Sequence, residues 1–152
     1  MATGIRRVIT GHDADGKAVV RIEDVAANRG SGRANHAAQV IWTTNDLPVA
    51  FAEDGEDKGA RDIGTTIPGG SVFRVVEYGP GVVPRNHRTD SIDYAVVISG
   101  EIDMDLDGTV VHLKAGDVLV QRGTIHNWVN NGTVPCVIAF VLISAAGSTA
   151  VG

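Results

Sequence analysis

Cysteine is almost absent from this chain: Cys136, in an apolar run, is the only one in 152 residues. A lone cysteine cannot form an internal disulfide, so the stability of the fold has to come from a packed core. The length suits one domain with one substantial core. No histidine is near Cys136 in sequence, which favours a buried thiol over a nucleophile.

Long apolar segments and an excess of basic residues are also missing. The longest apolar run, residues 134–146, is too short to cross a bilayer and contains Pro135 and Ser144. Residues 1–7 carry charge with no apolar stretch behind them, so we see no secretory signal and expect a cytoplasmic protein without a membrane partner. The net charge is −5 and the basic residues are scattered, so no nucleic-acid partner is expected. No nucleotide or organic cofactor is predicted.

No segment of helical length has a 3.6-residue period; short β-rich segments separated by turns replace it. Residues 5–10 and 17–22 flank a turn and predict an N-terminal hairpin. From Ser71 onward, regularly spaced short strands predict a sandwich or barrel. In residues 101–106 apolar and acidic side chains alternate, so one face of that strand is expected to be buried and the other wet.

We expect one structural domain in two parts. Residues 1–70 supply strands and a loop that pack on a barrel or exchange with a second copy, and residues 71–146 form the barrel itself. Residues 53–70 are long for a connection, acidic at first and then Gly-rich. This segment is a candidate lid or partner-binding loop, with a solvated loop of no further role as the alternative.

Two motifs lie in the C-terminal half: residues 79–100 read GPGVVPRNHRTDSIDYAVVISG and residues 116–130 read GDVLVQRGTIHNWVN. They resemble the two conserved motifs of cupins in their glycines, histidines and spacing, over roughly residues 70–143. The resemblance implies an all-β, single-domain cupin barrel (a double-stranded β-helix or jelly roll), here with an N-terminal hairpin extension. It also implies a homodimer and a divalent metal held by histidines and a carboxylate. The residues of the two motifs further resemble those of a cupin subgroup that is found among bacterial proteins and in fungal natural-product pathways.

Projected on those motifs, His87 and His126 match histidine positions and Asp93 takes the place of the usual glutamate. Arg85 stands where the first histidine would be, and Gln121 replaces a proline. His87, Asp93 and His126 would form a set of two histidines and one carboxylate that suits Fe, Mn, Ni or Zn. Arg85 has no lone pair to give to a metal, but it suits a substrate carboxylate or enolate.

The predicted catalytic residues are thus His126, His87 and Arg85, and the same Arg85 would bind substrate beside other lining residues: Tyr94, Gln121 and Trp128. Strand parity places Trp128 on the same face as His126, whereas Asp93 and Tyr94 must point to opposite faces. The alternatives stay open. Both histidines could be polar residues at a barrel mouth, Asp93 could pair with Arg85 or Arg88, Arg85 could be a surface residue, and the aromatic residues could be core.

Three functions are compatible with this pattern. The first is a metal-dependent enzyme of the decarboxylase, lyase, isomerase or dioxygenase type, acting on a small organic acid or natural-product intermediate. The second is a metal-free barrel that binds a small carboxylate. The third is a metal-free enzyme with His126 or His87 as general base. His12 and His36 are given no role, and His112 is interpreted as structural.

Overall fold

The computed structural model describes residues 4–26, 29–30, 32–51 and 56–146, which form strands and no helix. The all-β prediction is therefore confirmed. Within these residues no helix is long and apolar enough to span a membrane. The strands in chain order are β1 (Ile5–His12), β2 (Ala18–Ala26), β3 (Arg29–Gly30), β4 (His36–Thr44), β5 (Ser71–Tyr78), β6 (Ser91–Ser99), β7 (Glu101–Asp105), β8 (Val110–Lys114), β9 (Val118–Arg122), β10 (Asn127–Val129) and β11 (Cys136–Ser144).

The strands form three antiparallel sheets. The large sheet has the order β3-β4-β5-β11-β6-β9, the small sheet has the order β10-β7-β8, and β1 pairs with β2. The last pair is the predicted N-terminal hairpin. Its turn is fixed by Asp13, whose Oδ1 accepts hydrogen bonds from the backbone N–H groups of Asp15 and Lys17 at 2.8 and 3.0 Å.

The main core lies between the large and small sheets. In β7 the predicted alternation is present: Ile102 and Met104 are buried, while Glu101 and Asp103 are more accessible. Facing them across the core are inward side chains of β5 and β11, such as Val76. Cys136 belongs to this core and is fully buried, as predicted for a structural thiol.

The N-terminal hairpin lies on the outer face of the large sheet. Ala26 packs there with Ile41 and Val75 in a second, smaller apolar cluster. Arg7 of β1 reaches the same region, where its Nη1 donates a hydrogen bond to the carbonyl oxygen of Ile41 at 3.0 Å. The hairpin is therefore joined to the sheet by apolar packing and by a buried guanidinium.

The described part of the predicted lid segment, residues 56–70, reaches the inner side of the molecule. Ile63 and Ile67 pack against the main core. Asp57 is tied to the hairpin, because its carboxylate accepts hydrogen bonds from Arg7. Whether the segment opens and closes stays a prediction, and residues 53–55 lie outside the described residues.

Candidate active site

A cavity of about 550 Å³ opens on the inner face of the large sheet. This volume is in the range of sites that hold small organic molecules. Its walls combine aromatic rings with three guanidinium groups. The rings belong to His36, Tyr78, His87, His126, Trp128 and Phe140, and the guanidinium groups belong to Arg33, Arg74 and Arg85. The segment after β4 contributes Ile63 and Thr65 to the rim.

His87 and His126 meet in this cavity, although thirty-nine positions separate them in sequence. Their backbones form an isolated antiparallel bridge, in which each N–H donates to the other residue's carbonyl oxygen at 3.0 and 2.9 Å. The centroids of the two imidazole rings are 4.7 Å apart. The bridge places both side chains on the same side of the backbone and holds the rings together.

Hydrogen bonding fixes the same tautomer in both rings. Nδ1 of His87 lies 3.1 Å from the carbonyl oxygen of Arg85, and Nδ1 of His126 lies 2.9 Å from that of Thr124. A carbonyl oxygen only accepts hydrogen bonds, so each Nδ1 carries the proton and each Nε2 keeps its lone pair. Burial lowers the pKa of both imidazoles, which favours their neutral form. The site therefore offers two basic nitrogens.

Asp93 faces the cavity, while Tyr94 does not. Asp93 is 5% exposed, whereas Tyr94 is 49% exposed on the outer face of the sheet. The structure therefore does not bring Tyr94 to the pocket, because successive residues of a regular strand point to opposite faces. Ser91 donates a hydrogen bond to the Asp93 carboxylate at 2.5 Å, and burial raises the pKa of Asp93 to about 6. Among the described residues Asp93 forms no ion pair with Arg85 or with Arg88, which pairs with Asp90.

The other predicted residues differ in depth. Trp128 is buried with its ring centroid 5.9 Å from that of His126 and 6.0 Å from that of Phe140. Gln121 is also buried; its Nε2 donates to the sulfur of Met104 at 2.9 Å, and its Oε1 has no hydrogen-bond partner among the residues described. Arg85 lies at the mouth, exposed to solvent at one side.

Arg74 and His36 are two of the cavity residues that the sequence pattern did not single out. Arg74 shares the inward face of β5 with Val72 and Val76, and a charge at such a position was a signal that strand parity could have revealed. His36 of β4 was given no role, yet it lines the cavity beside Tyr78, with ring centroids 5.3 Å apart. Burial and the positive charges around it lower the pKa of His36 to about 4. It is therefore neutral at physiological pH.

The residues present fit a divalent metal only in part. Each cavity histidine donates Nδ1–H to a carbonyl and leaves Nε2 free, an arrangement typical of metal-bound imidazoles. A complete site needs at least a third donor. Within the described ranges, no group of three or more His, Cys, Asp or Glu side chains is close enough to hold an ion. Asp93 thus shares the cavity with His87 and His126 but does not join them in such a cluster.

Comparison with known proteins agrees with the β architecture. Residues 74–143 match the family model described as "Cupin domain". The chain is 38% identical over 150 residues to the cupin-domain-containing oxidoreductase fogC of Aspergillus ruber, and the alignment covers 92% of this chain and 74% of the relative. The chain belongs to the cupin family.

Two further proteins show how this cupin relates to others. It is 40% identical over 131 residues to the phomopsin biosynthesis cluster protein C' of Diaporthe leptostromiformis, covering 82% of this chain and 69% of the relative. It is 25% identical to the solved structure of an uncharacterized conserved protein with a double-stranded beta-helix domain from Klebsiella pneumoniae. That structure superposes with a TM-score of 0.52 and covers 79% of this chain and 85% of its own. The predicted cupin fold is confirmed.

Proposed function

We propose that this cupin is an enzyme that removes a proton from a small anionic intermediate of natural-product biosynthesis bound in its inner cavity. The carrying observation is the pair formed by His87 and His126, with two Nε2 lone pairs facing a basic cavity. The first fungal relative is named an oxidoreductase and the second a biosynthesis cluster protein, and these names support an enzyme in a biosynthetic setting. The decarboxylase, lyase, isomerase and dioxygenase types predicted above remain proposals within this class.

His126 is the better placed base of the two. It is 5% exposed and lies beside the buried ring of Trp128, whereas His87 is half-buried nearer the solvent. In the proposed step the substrate C–H or O–H bond breaks, its proton moves to Nε2 of His126, and the electron pair stays on the substrate as an enolate or phenolate. The guanidinium groups of the cavity stabilise that negative charge. Isomerases, lyases and oxygenases of enolisable compounds share this step.

A metal-dependent form of the same enzyme is the second candidate, supported by the two free Nε2 lone pairs. His87 and His126 would hold Fe, Mn, Ni or Zn, with Asp93 as the predicted carboxylate ligand. Such an ion supplies Lewis-acid polarisation of a substrate oxygen or activation of dioxygen. Elemental analysis of protein purified without chelator separates the two forms. About one equivalent of transition metal, lost in His87→Gln and His126→Gln, supports the metal enzyme, and less than about a tenth of an equivalent contradicts it.

A turnover assay separates the third candidate, a barrel that only binds a carboxylate, from an enzyme. Phenylpyruvate and a set of aryl β-keto acids are incubated with the protein in D₂O, while NMR follows deuterium uptake beside the carbonyl and loss of the carboxylate. We expect at least one probe to react about 10²–10⁴-fold faster with the wild type than with His126→Gln, the range for a general base. Probes that bind at one equivalent and never react faster than in buffer would contradict the enzyme and support the binder.

Self-association is proposed on the outer face of β6 and β9. Register places Tyr94 beside Val120 and Val96 beside Val118, and all four side chains are exposed. An apolar surface this continuous, next to a strand paired on one side only within the described chain, fits a second copy. Light scattering tests the homodimer: a monomer mass at micromolar concentration, or a dimer that survives Val118→Lys, contradicts this interface. A cytoplasmic location stays a prediction.

A further inference from the structure

Arg74 is a partly buried cation that has no counterion among the described residues. It lies on the inward face of β5, where register places it between Val40 of β4 and Phe140 of β11. Its Nε is buried and has no hydrogen-bond partner among the described residues. The acidic residues that line the cavity, Asp62 and Asp93, form no ion pair with it. A guanidinium has five N–H donors, so this arrangement leaves strong donors facing the cavity.

The surroundings of Arg74 are positive. Burial lowers the pKa of Arg74, and the charges of Arg85 and Arg33, which also line the cavity, lower it further. The same three arginines disfavour the protonation of His36. A desolvated charge among like charges destabilises the empty protein, and an anion that enters the cavity removes that cost. This end of the cavity is therefore suited to a carboxylate or a similar anion.

An aromatic wall connects this positive end with the histidine pair. Starting from His126, the ring of Trp128 comes next at 5.9 Å and the ring of Phe140 follows at 6.0 Å. Phe140 is the direct cross-strand neighbour of Arg74. Trp128 and Phe140 thus lie between the imidazole and the guanidinium, where a flat ring can pack edge-to-face or in an offset stack.

We propose that Arg74 binds the anionic group of an aromatic carboxylate whose ring packs on Trp128 and Phe140 and whose reacting atom lies at His126. Arg74, and not Arg85, is then the principal anchor, because Arg74 lies inside the cavity while Arg85 lies at its exposed mouth. The identity of the reacting end rests on the proposed function. The anion site itself does not, and binding without turnover measures it separately.

The test uses cinnamate and its neutral analogue cinnamamide in calorimetric titrations of the full chain. We expect the wild type to prefer cinnamate by about tenfold or more, a difference of about 1.4 kcal/mol. Arg74→Met is expected to lose this preference and to keep most of the affinity for cinnamamide. Arg85→Gln, the matched control, is expected to keep the preference. Equal preference in Arg74→Met and wild type, or its loss in Arg85→Gln alone, overturns the proposal.

Thermal unfolding of the ligand-free variants adds a readout that a merely structural arginine would not produce. Replacing a partly buried, unpaired cation by an apolar side chain of similar length should leave the melting temperature of Arg74→Met unchanged or higher. A marked fall in the melting temperature shows that Arg74 supports the fold and contradicts the proposal that its charge is unpaired. Arg74→Lys then tests anion binding, because lysine keeps the positive charge and should keep part of the preference for cinnamate over cinnamamide. Cinnamate binding that survives in His126→Gln, while turnover fails in the wild type, would retain the anion site and remove the proposed enzyme.

Discussion

Arg7 provides a sensitive test of how the N-terminal hairpin is joined to the rest of the molecule. Its side chain is 6% exposed and its guanidinium hydrogen-bonds to Asp24 of the hairpin and to Asp57 of the segment that continues to the cavity rim. Nη1 and Nη2 of Arg7 reach the two carboxylate oxygens of Asp57 at 2.9 and 2.5 Å. The pair is thus bidentate, the geometry in which an arginine–carboxylate interaction is strongest.

The expected coupling free energy between Arg7 and Asp57 follows from the burial of the pair and from the type of its hydrogen bonds. Hydrogen bonds to charged groups contribute about 1.5–3 kcal/mol each when buried. The Asp57 side chain is 32% exposed, so water recovers part of that energy when the partner is removed. We therefore expect a coupling free energy of about 1–2 kcal/mol between Arg7 and Asp57 in a double-mutant cycle of Arg7→Met and Asp57→Asn. Asparagine keeps Oδ1, which accepts from the Gly59 N–H and from Nη1 of Arg7, each at 2.9 Å, so the cycle measures the charge and the second hydrogen bond of the pair.

Urea unfolding at equilibrium measures this coupling, and a neighbouring pair supplies the control. Arg6 and Glu23 form an ion pair on the same hairpin, but their side chains are 67% and 53% exposed. The cycle of Arg6→Met and Glu23→Gln should give a coupling within about 0.5 kcal/mol of zero. Equal coupling energies for the two pairs would refute the reasoning, because they would show that the guanidinium of Arg7 does not join the hairpin to the segment of Asp57.

Two further predictions concern a turn and a surface histidine. Gly100→Ala should lower the free energy of unfolding by about 3 kcal/mol, because a Cβ at its φ of 78° would lie 2.3 Å from the Pro135 carbonyl oxygen. Gly108 has a similar φ of 80° but open space around it, so Gly108→Ala should cost only about 1–2 kcal/mol. Similar urea midpoints for the two variants contradict this prediction. The two ring nitrogens of His112 lie 2.7 Å from the carboxylates of Asp103 and Glu101, and hydrogen bonding to these carboxylates raises the pKa of the imidazole. The stabilisation from this group should be complete below the unfolded-state pKa and should be lost as the pH rises through the folded-state pKa. An NMR titration should show a lower pKa of His112 in Glu101→Gln than in the wild type, and an unchanged pKa contradicts the prediction.

Local periodicity was enough to predict much of the fold. The alternation of Ile102 and Met104 with acidic residues predicted which face of β7 is buried, and the turn around Asp13 predicted the hairpin. The resemblance to the two cupin motifs predicted that His87 and His126 lie in one cavity, and the structure brings both residues there. These features depend on contacts within a few residues or on one well-defined pairing.

The rest of the site depended on facts that one sequence does not contain. Parity required Asp93 and Tyr94 to face opposite ways, but only the packing of β6 between β11 and β9 decides which residue faces inward. Arg74 was overlooked although it alternates with Val72 and Val76 along β5, and only strands distant in sequence decide that this face of β5 points inward. Whether a metal joins Asp93 to the histidines depends on distances of ångström scale that motif spacing does not provide.

The tautomeric state of the two cavity histidines decides whether they form one basic site. Long-range ¹H–¹⁵N NMR on ¹⁵N-labelled protein at neutral pH, with chelator present and with His87→Gln and His126→Gln for assignment, reports which nitrogen carries the proton. We expect both rings to be neutral with protonated Nδ1 and bare Nε2, and we expect both to respond together when cinnamate is added. A protonated Nε2 in either ring, or a ligand response in one ring alone, would contradict the shared site.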